Sequence, residues 1–213
     1  MTTRLPSIFI NNETIEEVDN HKLLGIMIDN NLSWMAHINK LCKTVSKQVH
    51  QLCKIKHFVN IHARKLFLHA YILSSINYCS TLFDTASANV LKPLNSMYKR
   101  ALKAVLLKSS TLVATDYGKL EVLPLKDMFI LNKGIFMHKV MTGHAPQTLQ
   151  SKFHMTSRDP TKIQLPIPRI DLFKSSLTYS GSLQWNMLPT HVKASQSKET
   201  FKKAIYTPLK STN

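Results

Sequence analysis

Acidic residues are scarce in this chain: 12 Asp and Glu stand against 28 Lys and Arg over 213 residues, a formal net charge of +16 with a pI near 9.9. That balance points toward polyanions, either nucleic acid or an anionic membrane surface, and does not choose between them. Glycine is scarcer still. Gly25, Gly118, Gly134, Gly143 and Gly181 never cluster, which excludes phosphate-cradling loops of the G-x-x-x-x-G-K-[ST] and G-x-G-x-x-G kinds. H-E-x-x-H and G-x-S-x-G are absent too. Cys42, Cys53 and Cys79 make no C-x-x-C and stand too far apart for a zinc knuckle. With no secretory leader in the sequence, they fit a reducing compartment. No apolar run approaches the roughly 18 residues of a membrane span, so a membrane partner is not expected.

A hydrophobic content of 44% and a mean hydropathy of −0.11 are enough for a globular core. The basic charge is unevenly spread: Lys40 to Lys108 holds twelve Lys and Arg and one acid, Asp84. On a helical wheel of 38–56, Ile38, Leu41, Cys42, Val45, Val49, Leu52 and Cys53 form one stripe. Lys40, Lys43, Lys47, His50 and Lys54 form the opposite one. Cys42 and Cys53 therefore read as small core hydrophobes. The segment 61–76 is apolar on nearly every side, through Leu66, Phe67, Leu68, Ala70, Tyr71, Ile72 and Leu73, and is expected to be the central helix of a bundle. His62 and His69 share a helical face with Cys79 downstream, but no metal site is expected there. A third helix over 89–107 turns Val90, Leu94, Met97, Ala101 and Val105 inward and Lys92, Lys99 and Lys103 outward. Two basic stripes with almost no balancing acid suit a surface that faces phosphates rather than base edges.

The stretch 22–38, KLLGIMIDNNLSWMAHI, reads as a buried strand (Leu23–Ile28), a turn at Asp29-Asn30-Asn31 and a helix capped by Ser33. Two shorter strands, Ile8–Ile10 and Thr14–Val18, flank Asn11-Asn12 and would complete a three-stranded sheet. A buried strand with so little chain before it suggests a start in mid-domain. The residues Lys22, Leu24, Gly25, Ile28, Asp29, Leu32, Ser33, Trp34, His37 and Ile38 match K-x-L-G-x-x-I-D-x-x-L-S-W-x-x-H-I. This pattern resembles the palm–thumb junction of non-LTR retrotransposon reverse transcriptases of the jockey-like or CR1-like kind. SSINYCSTLFDTAS (74–87), LNSMYKRALKAVL (94–106) and PRIDLFKSSLTYSGSLQWNMLP (168–189) resemble later segments of the same family, with Phe83 where Trp is more usual.

The resemblance implies a mainly α fold: a three-helix thumb-like bundle over 31–108, preceded by a short antiparallel β remnant of the palm (1–30). A small helical and irregular C-terminal region (109–213) would follow; KSSTLVAT (108–115) reads as the hinge into it, and the polar, Pro-containing stretch 156–168 as an extended connector. Within that region, a turn at Leu123-Pro124-Leu125 leads into a helix over 126–141, ended by Gly143 and Pro146. Trp185 and Leu188 read as anchors of the C-terminal lobe, and Trp34 as packing at the first helix entrance.

The family's polymerases use paired aspartates to hold Mg²⁺ for phosphoryl transfer. Here the seven Asp (19, 29, 84, 116, 127, 159, 171) include no adjacent pair, and Glu16-Glu17 is the only adjacent acidic pair. The expectation is a truncated, non-catalytic fragment with no catalytic, metal or cofactor residues of its own. It would bind RNA, RNA–DNA hybrid or DNA backbone without sequence preference through Lys40, Lys43, Lys47, Lys54, Lys92, Lys99 and Lys103. The alternatives are a module that docks on a palm in trans, or a degraded element copy without selected function. The resemblance also implies work near nuclear DNA.

Overall fold

The computed structural model describes residues 9–211, with side chains described for 9–207. The chain is mainly helical, with two small antiparallel sheets. Strands β1 (Phe9–Ile10) and β2 (Glu13–Thr14) form a hairpin through Asn11 and Asn12, both at positive φ. Asn tolerates that region better than most residues. Ile8, the first residue of the expected strand, lies outside the described residues.

The single strand expected over 23–28 is instead a second hairpin, β3 (Asn20–Leu23) and β4 (Ile26–Asp29), registered from Asn20 opposite Asp29 to Leu23 opposite Ile26. Leu24 (φ 47°) and Gly25 (φ 89°) turn the chain in two residues. Such a turn matches the twist of its flanking strands, and glycine at its second position carries no Cβ penalty. The apolar run is therefore split. Leu24 is 83% exposed and only Ile26 reaches the core. The two hairpins do not join into a three-stranded sheet.

Asp29, not Ser33, is the principal cap of the next helix. Its carboxylate accepts from the backbone N–H of Ser33 and of Trp34, both at 2.8 Å, ahead of α1 (Met35–Ile55). Burial pushes this carboxyl up, but the backbone donors prevail and hold it below the usual aspartate range. The expected stripe of α1 is inward: Ile38, Leu41, Val45, Val49 and Leu52 are buried.

A continuous helical run follows: α2 (Ile61–Phe67), a π-helical turn (Leu68–Leu73) and α3 (Ser74–Asn77). Asn60 caps it by accepting from the Ala63 N–H at 2.9 Å. This run is not the buried centre of the molecule. Leu68, Ile72, Leu73 and Ile76 face the core, while Leu66, Ala70 and Tyr71 are exposed. It packs on α1 and α5 from one side, so its outer face stays wet despite its composition.

A short helix, α4 (Ser80–Phe83), drives Phe83 into the core against His37 and edge-on to Phe129. Helix α5 (Ala88–Leu106) starts at a Ser87 cap and forms its main pairing with α1. Its Tyr98 is fully buried, with its hydroxyl donating to the Leu123 carbonyl at 2.6 Å. Helix α6 (Ala114–Leu120) carries Asp116 in its first turn, where the carboxylate accepts from the Val113 N–H at 2.9 Å and pairs with Lys108.

The central helix is α7 (Leu125–Met141). Leu125, Met128, Leu131, Gly134, Met137, His138 and Val140 are buried, and only Lys126 and Lys139 of this helix are exposed. A helix that is apolar all round belongs in a core, and here that rule selects α7 rather than 61–76. After α8 (Gln147–Gln150) the expected extended connector is a folded loop. Met155 bridges Ile163, and Asn186 both donates to and accepts from the Ile163 backbone at 2.8 Å. Helices α9 (Asp171–Lys174), α10 (Leu177–Met187), α11 (Thr190–Lys193) and α12 (Lys198–Ser211) complete the chain. Trp185 of α10 stacks on Phe201 of α12, which also meets the His138 ring. Gly181 lets α10 approach α7, since a Cβ there would come within 2.6 Å of Met137 Sδ. One hydrophobic cluster runs from Ile38 of α1 to Ile205 of α12.

Candidate nucleic-acid interface

The pairing of α1 with α5 sets two basic helix faces side by side. Lys47, His50 and Lys54 of α1 line a groove of about 610 Å³ together with Arg100 of α5. Arg100 also lines a second groove, of about 360 Å³, with Lys99, Lys103, Ser96 and Thr111. Arg100 is therefore the hinge point between the two stripes, joining them into one cationic surface that contains no carboxylate lining residue.

The local acids are committed elsewhere. Asp84, the single acid between Lys40 and Lys108, is buried against Lys133 at 2.8 Å. Asp116, the first acid after the α5 stripe, holds Lys108, whose ammonium keeps that carboxyl below its ordinary range. The ion pairs among the described residues (Lys108–Asp116, Lys133–Asp84, Lys162–Asp159 and Lys174–Asp171) use none of the seven expected contact lysines. An unpaired exposed ammonium keeps its full charge for a polyanion, and neighbouring ones add to a common field.

The seven do not all share one place. Lys47 and Lys54 are together, and Lys99 and Lys103 are together. Lys103 is half-buried, its Nζ donating to the Ser109 carbonyl at 3.4 Å. Lys40 lies toward the β3–β4 hairpin and reaches the Gly25 carbonyl at 3.4 Å. Lys43 is exposed on the outer face of α1. Lys92 stands at the mouth of a different cavity, between α5 and α7.

Two groove residues fell outside the expected set. His50 lies on the α1 stripe but counts as neutral in a formal charge. Arg100 lies one residue, or about 100°, around α5 from Lys99, so a wheel places it at the flank of the stripe. Only the side on which α1 packs turns that flank into the groove.

The described residues contain no group of three His, Cys, Asp or Glu that could hold a metal ion. Cys42, Cys53 and Cys79 are free and half-buried, and burial pushes the Cys42 thiol up. No described helix is long and apolar enough to cross a membrane. Comparison with protein-family models, curated proteins and solved structures finds no match to this chain.

Proposed function

We propose that this chain is the thumb and post-thumb part of a non-LTR retrotransposon reverse transcriptase, jockey-like or CR1-like, without polymerase activity of its own. Its α1–α5 surface grips the backbone of RNA or RNA–DNA hybrid. The observation that carries this reading is the joined cationic surface of Lys47, His50, Lys54, Lys99, Arg100 and Lys103, with its local acids tied up in other pairs. A surface dominated by Lys and Arg suits phosphate positioning rather than base specificity. Phosphoryl transfer is left to a palm bearing paired aspartates, which this chain lacks.

The test is binding of the purified chain to single-stranded RNA, RNA–DNA hybrid and duplex DNA across a salt titration. Affinity should fall with a logarithmic slope of roughly −0.7 to −0.9 per phosphate contacted. A folded protein whose binding is flat in salt would overturn the proposal.

A second reading is supported by the N-terminal hairpins. Phe9, Ile10, Leu23 and Leu24 are exposed on two short sheets whose outer edges are unpaired among the described residues. Such edges template pairing with another chain, which suits docking onto a palm in trans. Stable, monodisperse monomer at high concentration would count against it.

A further inference from the structure

The cavity between the first turns of α5, the first half of α7 and the middle of α10 measures about 500 Å³, within the range of roughly 300–1,000 Å³ typical of small-ligand sites. Three features of its wall bear on what could enter it. Leu91, Leu125 and Phe129 supply an apolar face. Asn89, Asn95 and Gln184 bring carboxamides to the same space; the Gln184 amide is fixed by donating to the Ile130 carbonyl at 2.6 Å, which leaves its Oε1 as an acceptor. Lys92 and Lys126 are exposed at the rim.

The wall is held rigid by the Asp84–Lys133 pair, with Lys133 Nζ also donating to Ser180 Oγ at 3.2 Å. Asp84 Oδ1 is shut from solvent and has no hydrogen-bond partner among the described residues. Burial pushes this carboxyl up despite the adjacent ammonium. The cavity therefore pairs an apolar floor with a neutralised charge pair, amides of mixed donor and acceptor character, and a cationic mouth. Lys92 belongs to the same helix face as Lys99 and Lys103, seven and eleven residues on, so the mouth opens about 10 Å along α5 from the basic grooves.

We propose that this cavity receives one unpaired nucleobase of the strand whose backbone lies on the α1–α5 surface, an inference that rests on the nucleic-acid reading above. The ring packs against Phe129 and its aliphatic neighbours. Asn89, Asn95 and Gln184 meet its hydrogen-bonding edge, and Lys92 and Lys126 hold the adjoining phosphates. Single strands are recognised in this way, by burying splayed bases and bonding their edges. A base held in a duplex cannot enter, so the site favours single-stranded over hybrid substrate.

The experiment compares the full chain with Asn95→Trp, which fills the cavity, using a labelled uridine-rich single-stranded RNA and an RNA–DNA hybrid. Amide NMR on the unsubstituted chain follows titration with adenosine and uridine 5′-monophosphates. Filling the cavity should weaken single-stranded RNA binding roughly 5- to 150-fold, the value of one buried base, and leave hybrid affinity and its salt slope unchanged. The monophosphates should shift the amides of Asn89, Asn95 and Phe129. Equal binding of single-stranded RNA by both proteins, with no monophosphate shift at those residues, overturns the pocket and leaves the backbone grip standing. If no polymer binds, the backbone grip fails. The monophosphate titration then judges the cavity alone, a localised shift supporting base recognition and its absence overturning it. If Asn95→Trp unfolds, Lys126→Glu replaces it, with the same selective loss expected and equal loss on both substrates counting against the proposal.

Discussion

Helix α1 carries Lys40, Lys43, Lys47 and Lys54 outward with no carboxylate of the described residues paired to any of them, whereas α7 takes Lys133 into the core and sets it 2.8 Å from Asp84. Both contribute equally to the formal charge. Only the first kind can meet a polyanion, because a buried ion pair is already neutralised and closed to solvent. A net charge of +16 therefore locates nothing until each cation's partner is known. The two settings also carry opposite costs. A surface lysine is held by little and loses little when removed. A buried pair has surrendered hydration on both members, so removing one leaves an uncompensated charge.

The largest effect on stability is therefore expected at the buried pair. Asp84→Ala or Lys133→Ala should each cost about 3–5 kcal/mol in urea unfolding. The paired change to Asp84→Leu with Lys133→Met should recover most of that loss. If the double variant is as unstable as the singles, desolvation is not the governing cost. Next comes Tyr98→Phe, which strips the donor from the buried Leu123 carbonyl and should cost about 1–3 kcal/mol. A smaller effect, about 1 kcal/mol, is expected when Asp29→Ala removes the acceptor of two backbone N–H groups at the α1 entrance.

His37 supplies a pH test of the junction between hairpin and helix. Burial, helped by Lys40, lowers its proton affinity, and its Nδ1 accepts from the Met27 N–H at 3.4 Å. The unfolded chain binds a proton more readily than the folded one. The contribution of neutral His37 is thus fully present above its ordinary value of 6.5 and is lost as pH falls through the lower folded value. Melting temperature should drop on acidification below about pH 6.5, and His37→Gln should blunt that part of the drop. The smallest stability change is expected at the proposed binding surface. Lys47→Ala, Lys54→Ala and Arg100→Ala together should shift stability by no more than about 0.5 kcal/mol per site, yet lower the salt slope of RNA binding by roughly 2–3. A triple variant with an unchanged slope would detach the groove from phosphate contact.

Much of the helical layout is legible from spacing. The stripe Ile38, Leu41, Val45, Val49, Leu52 and the opposed lysines appear on α1 as the period of 3.6 demands. The third helix behaves likewise through Leu94, Ala101 and Val105. The hairpin at Leu24-Gly25 was not legible, because Leu in a left-handed turn violates the usual local preference. Its turn carbonyls are held from outside, by the Tyr78 hydroxyl at 2.8 Å and by Lys40. The identity of the central helix was misread for a related reason. Segments 61–76 and 125–141 both carry apolar residues on nearly every side, and periodicity cannot say which one neighbours surround. Arg100 was missed because its role depends on where α1 lies.

The sequence by itself determined which faces of α1 and α5 are apolar and which are cationic, and that paired catalytic aspartates are absent from these 213 residues. Those are consequences of residue type and helical period, both local. Tertiary structure alone decided that the two cationic faces meet at Arg100, that Asp84 is spent on Lys133, and that α7 rather than 61–76 is enclosed. Each of these depends on contacts between residues dozens of positions apart, and the chain's local preferences carry no record of which distant surface will cover them.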